Sequence, residues 1–297
     1  MEIELKALNN EEITKYQEEL TALEIKFKYP LGDDFFRIDH GSDYRNFFSM
    51  IGMPTYFLYF ESKILMGILV AIEKDIFHDG QKKSGVYLAD LKIDPRAKSF
   101  RASLRLFKFC FENADKHFNL SKIEFVYFIS MQSQFGDFTN RLKASYLQQF
   151  KEVSFFNIYF LDQTKRSKIL TNKIEVDPMH LKHTYLSPEN TQDIKITTKG
   201  NKDLTLLSNG ENIEFIHFSP NNINLTDWWL SLVQLIKEME NDPREICIAI
   251  DTKRNNCTTY LEQHEIQPSG TAKLYGADYG INLTADDNMF FVGTYQI

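Results

Sequence analysis

The stretch that most constrains this chain is Val86 to Phe118, VYLADLKIDPRAKSFRASLRLFKFCFENADKHF. Its first part (Val86, Tyr87, Leu88, Leu91, Ile93) is apolar and β-rich, and it stops at Asp94-Pro95. A helix follows, because Leu104, Phe107, Phe111, Ala114 and Phe118 fall at the spacing of one buried face. Strand, tight turn and helix form a unit that can hold an anion: the first backbone N–H groups of a helix lack internal partners, and the dipole is positive there.

Lysine and arginine oppose that dipole in a first turn, where acidic side chains are the stabilising choice. Here Arg96, Lys98, Arg101 and Arg105 occupy or adjoin the turn, in a chain of net charge −7. A ligand with several phosphates resolves the conflict; a solvated basic face is the alternative. The acidic balance argues against non-specific nucleic-acid binding.

The flanking sequence reads as a sheet with helices. Asn9 or Asn10 can cap a helix whose buried face is Ile13, Tyr16, Leu20 and Leu23. Residues 28–54 are irregular, with a brief helix at DYRNFFSMIG. Residues 54–77 read as a β-hairpin turning at Glu61-Ser62-Lys63. Gly67, inside its second strand, marks a bulge or a close backbone approach. SKIEFVYFISM (121–131) is a further strand, GDFTNRLKASYLQQF (136–150) a second amphipathic helix, and KEVSFFNIYFL (151–161) a strand pair or one long strand.

Strand, Asp-Pro break, basic loop and long helix together resemble motif A of the GNAT superfamily of N-acetyltransferases. In that family the loop reads R/Q-x-x-G-x-G/A, and its backbone amides hold the pyrophosphate of acyl-coenzyme A. With Pro95 as anchor, the loop positions are Lys98, Ser99, Phe100, Arg101, Ala102 and Ser103. Arg101 and Ser103 stand where the family has glycine, the residue that lets phosphate approach the backbone closely. The resemblance implies an α+β (α/β) fold, a mixed, mainly antiparallel sheet flanked by helices. It also implies acetyl-CoA or another acyl-CoA as co-substrate, with Leu91 and Ile93 on the donor strand, no metal, and a small-molecule, protein or peptide amine as acceptor. In the family the region before the second strand shapes the acceptor pocket, which makes Phe35, Phe36, Arg37 and Asp43 candidates, with Asp39 and His40 beside them. Ordinary polar loop residues with aromatic anchors are the alternative.

Two side chains carry the implied chemistry. Family members often show N-x-x-A-x-x-L-Y-x-x-x-G-F across the second helix and the turn into the next strand, and Tyr146 can be laid on that tyrosine, which in the family protonates the departing thiolate. A tyrosine packing helix on sheet is the alternative. Strand parity puts Asp90 and Lys92 on one face with Val86 and Leu88. A carboxylate in such a strand is costly to bury unless paired or lining a cleft. The resemblance makes Asp90 the group that binds or deprotonates the acceptor amine; a salt bridge with Lys92 is the competing role.

Past Leu161 the composition turns polar, with linkers expected at 162–173 and 187–203. Regular structure then resumes: a hairpin turning at Gly210, a helix over 224–242 capped by Thr226, a strand at 246–251, a helix at 255–266 and final strands. This order repeats that of residues 54–161, and ASYLQQFKEV (144–153) is echoed by TTYLEQHEIQ (258–267), with Tyr260 in the place of Tyr146. Two GNAT-like halves in tandem are therefore expected, 1–165 with the donor site and 166–297 a degenerate copy without a basic loop.

The reading is acyl transfer from acyl-CoA to an amine, against an inactive GNAT-like binding or scaffold protein, or transfer from an acyl-carrier protein. Three dispersed cysteines give neither a disulfide framework nor a zinc site. No Gly-x-Ser-x-Gly, Walker loop or His-Glu-x-x-His is present. No run approaches the ~18 apolar residues of a membrane span, so a cytoplasmic compartment is the default expectation.

Overall fold

The apolar runs of residues 53–93 fold as three long antiparallel strands, and the rest of the molecule is laid down around them. In a computed structural model, the described residues are 2–31, 34–99, 101–131, 147–170, 182–187, 195–219, 225–283, 285 and 287–297.

The chain starts with β1 (Ile3–Leu8), α1 (Gln17–Glu24), β2 (Tyr29–Leu31), β3 (Asp34–Asp39) and α2 (Arg45–Ile51). The long strands follow as β4 (Met53–Glu61), β5 (Ile64–His78) and β6 (Gln81–Ile93). The β4–β5 turn needs two residues in the left-handed region, Ser62 (φ 48°) and Lys63 (φ 66°), the geometry of a tight hairpin. Then come α3 (Ala102–Glu112), α4 (Ala114–His117), β7 (Ile123–Met131), a single long β8 (Lys151–Leu161) and α5 (Gln163–Leu170). The remainder comprises β9 (Lys182–Tyr185), β10 (Lys195–Thr197), β11 (Asp203–Leu206), β12 (Asn212–Ile213) and β13 (Phe215–Phe218). Last are α6 (Leu225–Glu238), β14 (Glu245–Asp251), α7 (Asn255–Gln263), β15 (Gly270–Asp278) and β16 (Asn288–Phe291).

Strands order as β1-β4-β5-β6-β7-β15-β8-β14-β13-β10 in one sheet, with β9 and β16 paired alongside; β12-β11-β3-β2 form a second, smaller sheet. This is the mixed, mainly antiparallel sheet flanked by helices that the sequence implied. Two parallel junctions stand out. β6 runs parallel to β7 from Ser84–Tyr87 against Ile123–Tyr127, and β13 runs parallel to β14 from Phe215–His217 against Glu245–Cys247. Each junction is crossed by a helix, α3 in the first case and α6 in the second. The sheet continues past residue 165, and two strands change places across it: β15 lies between β7 and β8, while β8 lies between β15 and β14.

Alternation along the strands gives each face its own core. Tyr56, Leu58, Ile68, Val70 and Tyr87 pack with Leu20, Leu23, Phe47 and Phe48 of α1 and α2. Phe57, Tyr59, Leu69, Val86 and Leu88 pack with Ala102, Leu106, Phe107 and Cys110 of α3. A third cluster joins α5, α6 and α7 to β8, β13 and β14 through Ile169, Trp228, Leu232, Leu261 and Ile248.

Some sequence expectations change. Part of the expected linker 162–173 is α5: Ile169 is buried, and the buried Arg166 donates to the carbonyls of Met239 and Asp242, both at 2.7 Å. Thr226 lies inside α6, which begins at Leu225. Phe100, Tyr146 and most of the expected second helix (136–150) lie outside the described residues.

The C-terminal segment ties the two regions together. The buried Lys74 of β5 donates to the Leu186 carbonyl and to Gln296 Oε1 at 3.3 Å, and the Tyr87 hydroxyl donates to the Gln296 carbonyl. Burial lowers Lys74 to about 7 from 10.5. The unfolded chain therefore binds a proton that the folded one lacks between pH 7 and 10.5, and stability gains with pH across that window. In denaturant titrations at pH 7, 8.5 and 10, the difference in unfolding free energy between wild type and Lys74→Met should grow with pH, by at most about 1.4 kcal/mol per unit. A constant difference would mean that Lys74 titrates normally.

Candidate active site

The first parallel junction opens beyond Tyr87 and Tyr127: β6 carries on through Leu88–Ile93, and β7 continues to Met131 with β15 paired along its other edge. The opening coincides with a bulge. Val70 pairs with Ala89 and Ile68 with Lys92, so that Asp90 and Leu91 on β6 face only Leu69 on β5. Asp90 takes the left-handed conformation (φ 52°), a strained state that aspartate tolerates better than most residues. Gly67 is the counterpart: a Cβ there would meet Ile93 Cδ1 at 2.5 Å and the Lys92 carbonyl oxygen at 3.0 Å. Absence of a side chain at Gly67 lets the bulged strand lie close.

The bulge corrects the parity read from the sequence. Val86 and Leu88 face α3, whereas Lys92 and Asp90 turn to the opposite face with Tyr87 and Ala89, because one inserted residue inverts the alternation. Leu91 and Ile93 pack toward the α3 side.

On the α1/α2 face the Asp90 carboxylate meets Lys92 Nζ at 2.7 Å and accepts from the Tyr44 hydroxyl. Lys92, 2% exposed, reaches Glu24 of α1 at 2.7 Å. Glu24 in turn holds His40, at 2.5 Å to Nδ1 and 3.1 Å to the backbone N–H. Burial opposes the Glu24 charge, yet His40 and Lys92 outweigh it and hold the carboxyl at about 2. Lys92 is disfavoured by burial but raised above its ordinary value by Asp90, Tyr29 and Glu24. The result is a buried file, Tyr44–Asp90–Lys92–Glu24–His40, in which each charge has an opposite neighbour.

The acceptor candidates from sequence divide. Phe35, Phe36 and Arg37 lie on β3, in the smaller sheet. Phe36 stacks on Tyr29 at 5.4 Å. Burial raises Tyr29 to about 12, with Lys92, Asp90 and Glu24 all within electrostatic reach, so Phe36 is joined to the file. Phe35 packs under Lys28 at 4.7 Å. Asp43 is an ion-pair partner of Arg45 at 2.7 Å and accepts from its backbone N–H at the start of α2, a capping role. His40 is brought to the site through Glu24; Asp39 accepts from the Gly41 N–H in the following turn.

On the opposite face, the loop after Asp94-Pro95 leads to Arg101, the N-cap of α3. Asp94, fully buried, binds Arg96 at 2.8 Å and Lys26 at 2.6 Å, and these cations hold it below the ordinary carboxylate range. Arg96 thus fixes the Asp-Pro break, while Lys98, Arg101 and Arg105 are exposed at the helix start. The N–H groups of Lys98 and Ser99 donate to the buried Glu61 carboxylate at 2.9 and 3.0 Å, and the Tyr59 hydroxyl donates to it at 2.7 Å. An anion of the protein's own therefore occupies the first two amides of the loop. Ala102 is buried against the sheet and Ser103 is half-buried.

The second junction is filled. Thr294 donates to the Cys247 carbonyl on β14 at 3.1 Å and lies 2.8 Å from His217 Nδ1 on β13, and the Phe290 N–H donates to Asp251 at 2.9 Å. Tyr260, the echo of Tyr146, is a packing residue against Trp229, with its hydroxyl donating to the Ile169 carbonyl. Tyr44, Glu24 and Glu61 escaped the sequence reading, since each reaches the site from a separate element with no spacing to announce it. Among the described residues, no group of three or more His, Cys, Asp or Glu side chains could hold a metal, and no helix is long and apolar enough to cross a membrane.

No protein-family model matches the sequence, and no curated protein sequence does. Solved structures do match. A Saccharomyces cerevisiae N-myristoyltransferase with bound myristoyl-CoA is 11% identical, with 94% of this chain and 79% of that chain covered and a TM-score of 0.55. The same enzyme with myristoyl-CoA and inhibitors is 12% identical over 96% and 83%, at 0.54. A tandem GNAT protein from the clavulanic acid biosynthesis pathway is 9% identical over 95% and 100%, at 0.48. At such identities what the yeast structures share with this chain is the fold, a GNAT-like mixed, mainly antiparallel sheet flanked by helices.

Proposed function

We propose that this chain transfers an acyl group from acyl-coenzyme A to an amine, with the donor entering at the β6–β7 opening. The observation that carries the reading is the bulge. It turns Asp90 toward the α1/α2 face beside the opening, while α3 starts on the other face with Lys98, Arg101 and Arg105 exposed. An acyl donor lying in the opening would have its phosphates near the cations and its thioester near Asp90. Glu61 satisfies Lys98 and Ser99, so phosphate contact falls to the residues from Arg101 onward.

An ammonium acceptor must lose a proton before its nitrogen can attack a thioester carbonyl, and Asp90 takes that proton directly or through water. Tyr44 and Lys92 position the Asp90 carboxylate. Tyr146, outside the described residues, is the proposed acid for the departing thiolate. Phe36 and Tyr29 would form part of the acceptor wall, with Phe35, Arg37 and Asp43 as outer contacts. The tandem reading has residues 1–165 carrying the donor site, with 166–297 a copy whose own junction is closed by residues 290–294.

A second reading has one observation in its favour. Glu61 places a negative charge on the first two amides of the loop that would hold the pyrophosphate, which suits a GNAT-like binding protein without turnover.

Arg101→Glu with Arg105→Glu should abolish acetyl-CoA binding in calorimetry while leaving the melting temperature within a few degrees of wild type. Unchanged affinity would remove the phosphate role from α3. Asp90→Asn keeps a residue that accepts the left-handed backbone. It should lower turnover with an amine acceptor about 100-fold or more at unchanged donor affinity. Donor binding with no transfer to any amine in the wild type would establish the second reading.

A further inference from the structure

Arg254, the N-cap residue of α7, is 2% exposed. Its guanidinium carbon lies 4.4 Å from the ring centroid of Trp228 on α6 and 4.5 Å from that of Phe291 on β16. Ring contact offsets part of the cost of burying the charge but accepts no ordinary hydrogen bond. The buried Nε and Nη2 have no hydrogen-bond partner among the described residues. Those two atoms form one edge of the guanidinium, whose parallel N–H groups match the two oxygens of a carboxylate. The chain uses the same edge three times elsewhere: Arg45 on Asp43 at 2.8 and 2.7 Å, Arg96 on Asp94 at 3.1 and 2.8 Å, and Arg244 on Asp242 at 2.9 and 2.6 Å. Arg254 is more deeply buried than any of these three. Asp251, within its electrostatic reach, is engaged by the backbone N–H groups of Lys253 and Phe290, both at 2.9 Å. A second buried nitrogen lies nearby. His183 of β9 packs edge-on against Phe291 at 5.6 Å and is within electrostatic reach of Arg254. Its Nε2 is likewise buried and without a hydrogen-bond partner among the described residues.

We propose that Arg254 and His183 bind the carboxylate of a small organic acid, at a site built on α6, α7, β9 and β16 and separate from the opening beside Asp90. The Arg254 Nε–H and Nη2–H groups donate to its two oxygens, and the Nε2–H tautomer of His183 donates to one of them. A buried guanidinium edge left without an acceptor is costly, and the ligand removes that cost. The start of α7 adds to the attraction, because its first N–H groups lack intrahelical partners and its dipole is positive there. Cys257, in the first turn of α7, is within electrostatic reach of the guanidinium. Three donors suffice for a carboxylate, whereas a buried phosphate dianion would keep oxygens without partners. His183 is half-buried, so a ligand enters past its outer side.

Both tryptophans of the chain, Trp228 and Trp229, lie on α6, so tryptophan emission reports on this region. The test is an emission titration of the full chain with sodium acetate, and separately with phosphate, at an ionic strength held constant with chloride. Acetate should change the emission saturably, with half-saturation in the millimolar range, and chloride alone should not. Arg254→Met should abolish the saturable change. His183→Leu should weaken acetate binding about tenfold, the loss of one hydrogen bond to a charged group. If Arg254→Met fails to fold, the wild-type and His183→Leu titrations decide. Saturation by phosphate at lower concentration than acetate overturns the carboxylate assignment. An acetate response that survives Arg254→Met overturns the site, and an affinity unaltered by His183→Leu overturns the pairing of the two residues. Absence of any response to either anion also overturns the proposal, and leaves the rings as the partners of the guanidinium.

Discussion

The site depends on one buried ammonium. Lys92 sits between Asp90 and Glu24, almost out of contact with solvent, and no element of the surrounding sheet could tolerate it unpaired. Removing one partner from such a pair costs about 3–5 kcal/mol, since the remaining charge is left buried. That penalty links three local choices: the left-handed backbone at Asp90, the position of α1 that supplies Glu24, and the turn at His40 that holds Glu24 in place. The bulge is therefore not an isolated kink in β6. It is fastened to the N-terminal helix by charges that are stable only together.

The same face receives the C-terminal segment. Gln296 meets Lys74, Tyr87 and Tyr127, and Lys202 donates to the carbonyls of Tyr295 and Ile297 at 3.0 Å each. Residues 290–294 fill the second junction, while residues 295–297 lie against the strands of the first. One stretch of chain thus closes one opening and lines the neighbourhood of the other. The two openings are equivalent in strand direction and unequal in content.

Much of this was legible. The long strands, the Asp-Pro break, the α3 stripe and the bulge signalled by Gly67 all follow from local patterns, which is why the fold could be named from residues 54–131. The facing of Asp90 was not legible, because a bulge of one residue inverts parity and leaves the sequence alternation intact. Nor was Glu61. It reads as a hairpin-turn residue, and only tertiary structure brings its carboxylate to Lys98 and Ser99. The α5 helix was hidden by composition: Arg166 looks like a linker cation, yet its guanidinium caps the carbonyls at the end of α6. In each case the decisive partner comes from an element remote in sequence.

The exchange of β8 and β15 bears on how the chain acquires its shape. β7 has β6 on one side, but its other edge stays open until Gly270–Asp278 arrives. A nascent chain must therefore hold a long, apolar, unpaired strand edge through the making of most of its length, which is the situation in which strands pair with the wrong neighbour. Contacts that close so late in sequence also slow folding. The two regions are in this sense a single cooperative unit, and a fragment cut near residue 165 would lack the strand that completes its own sheet.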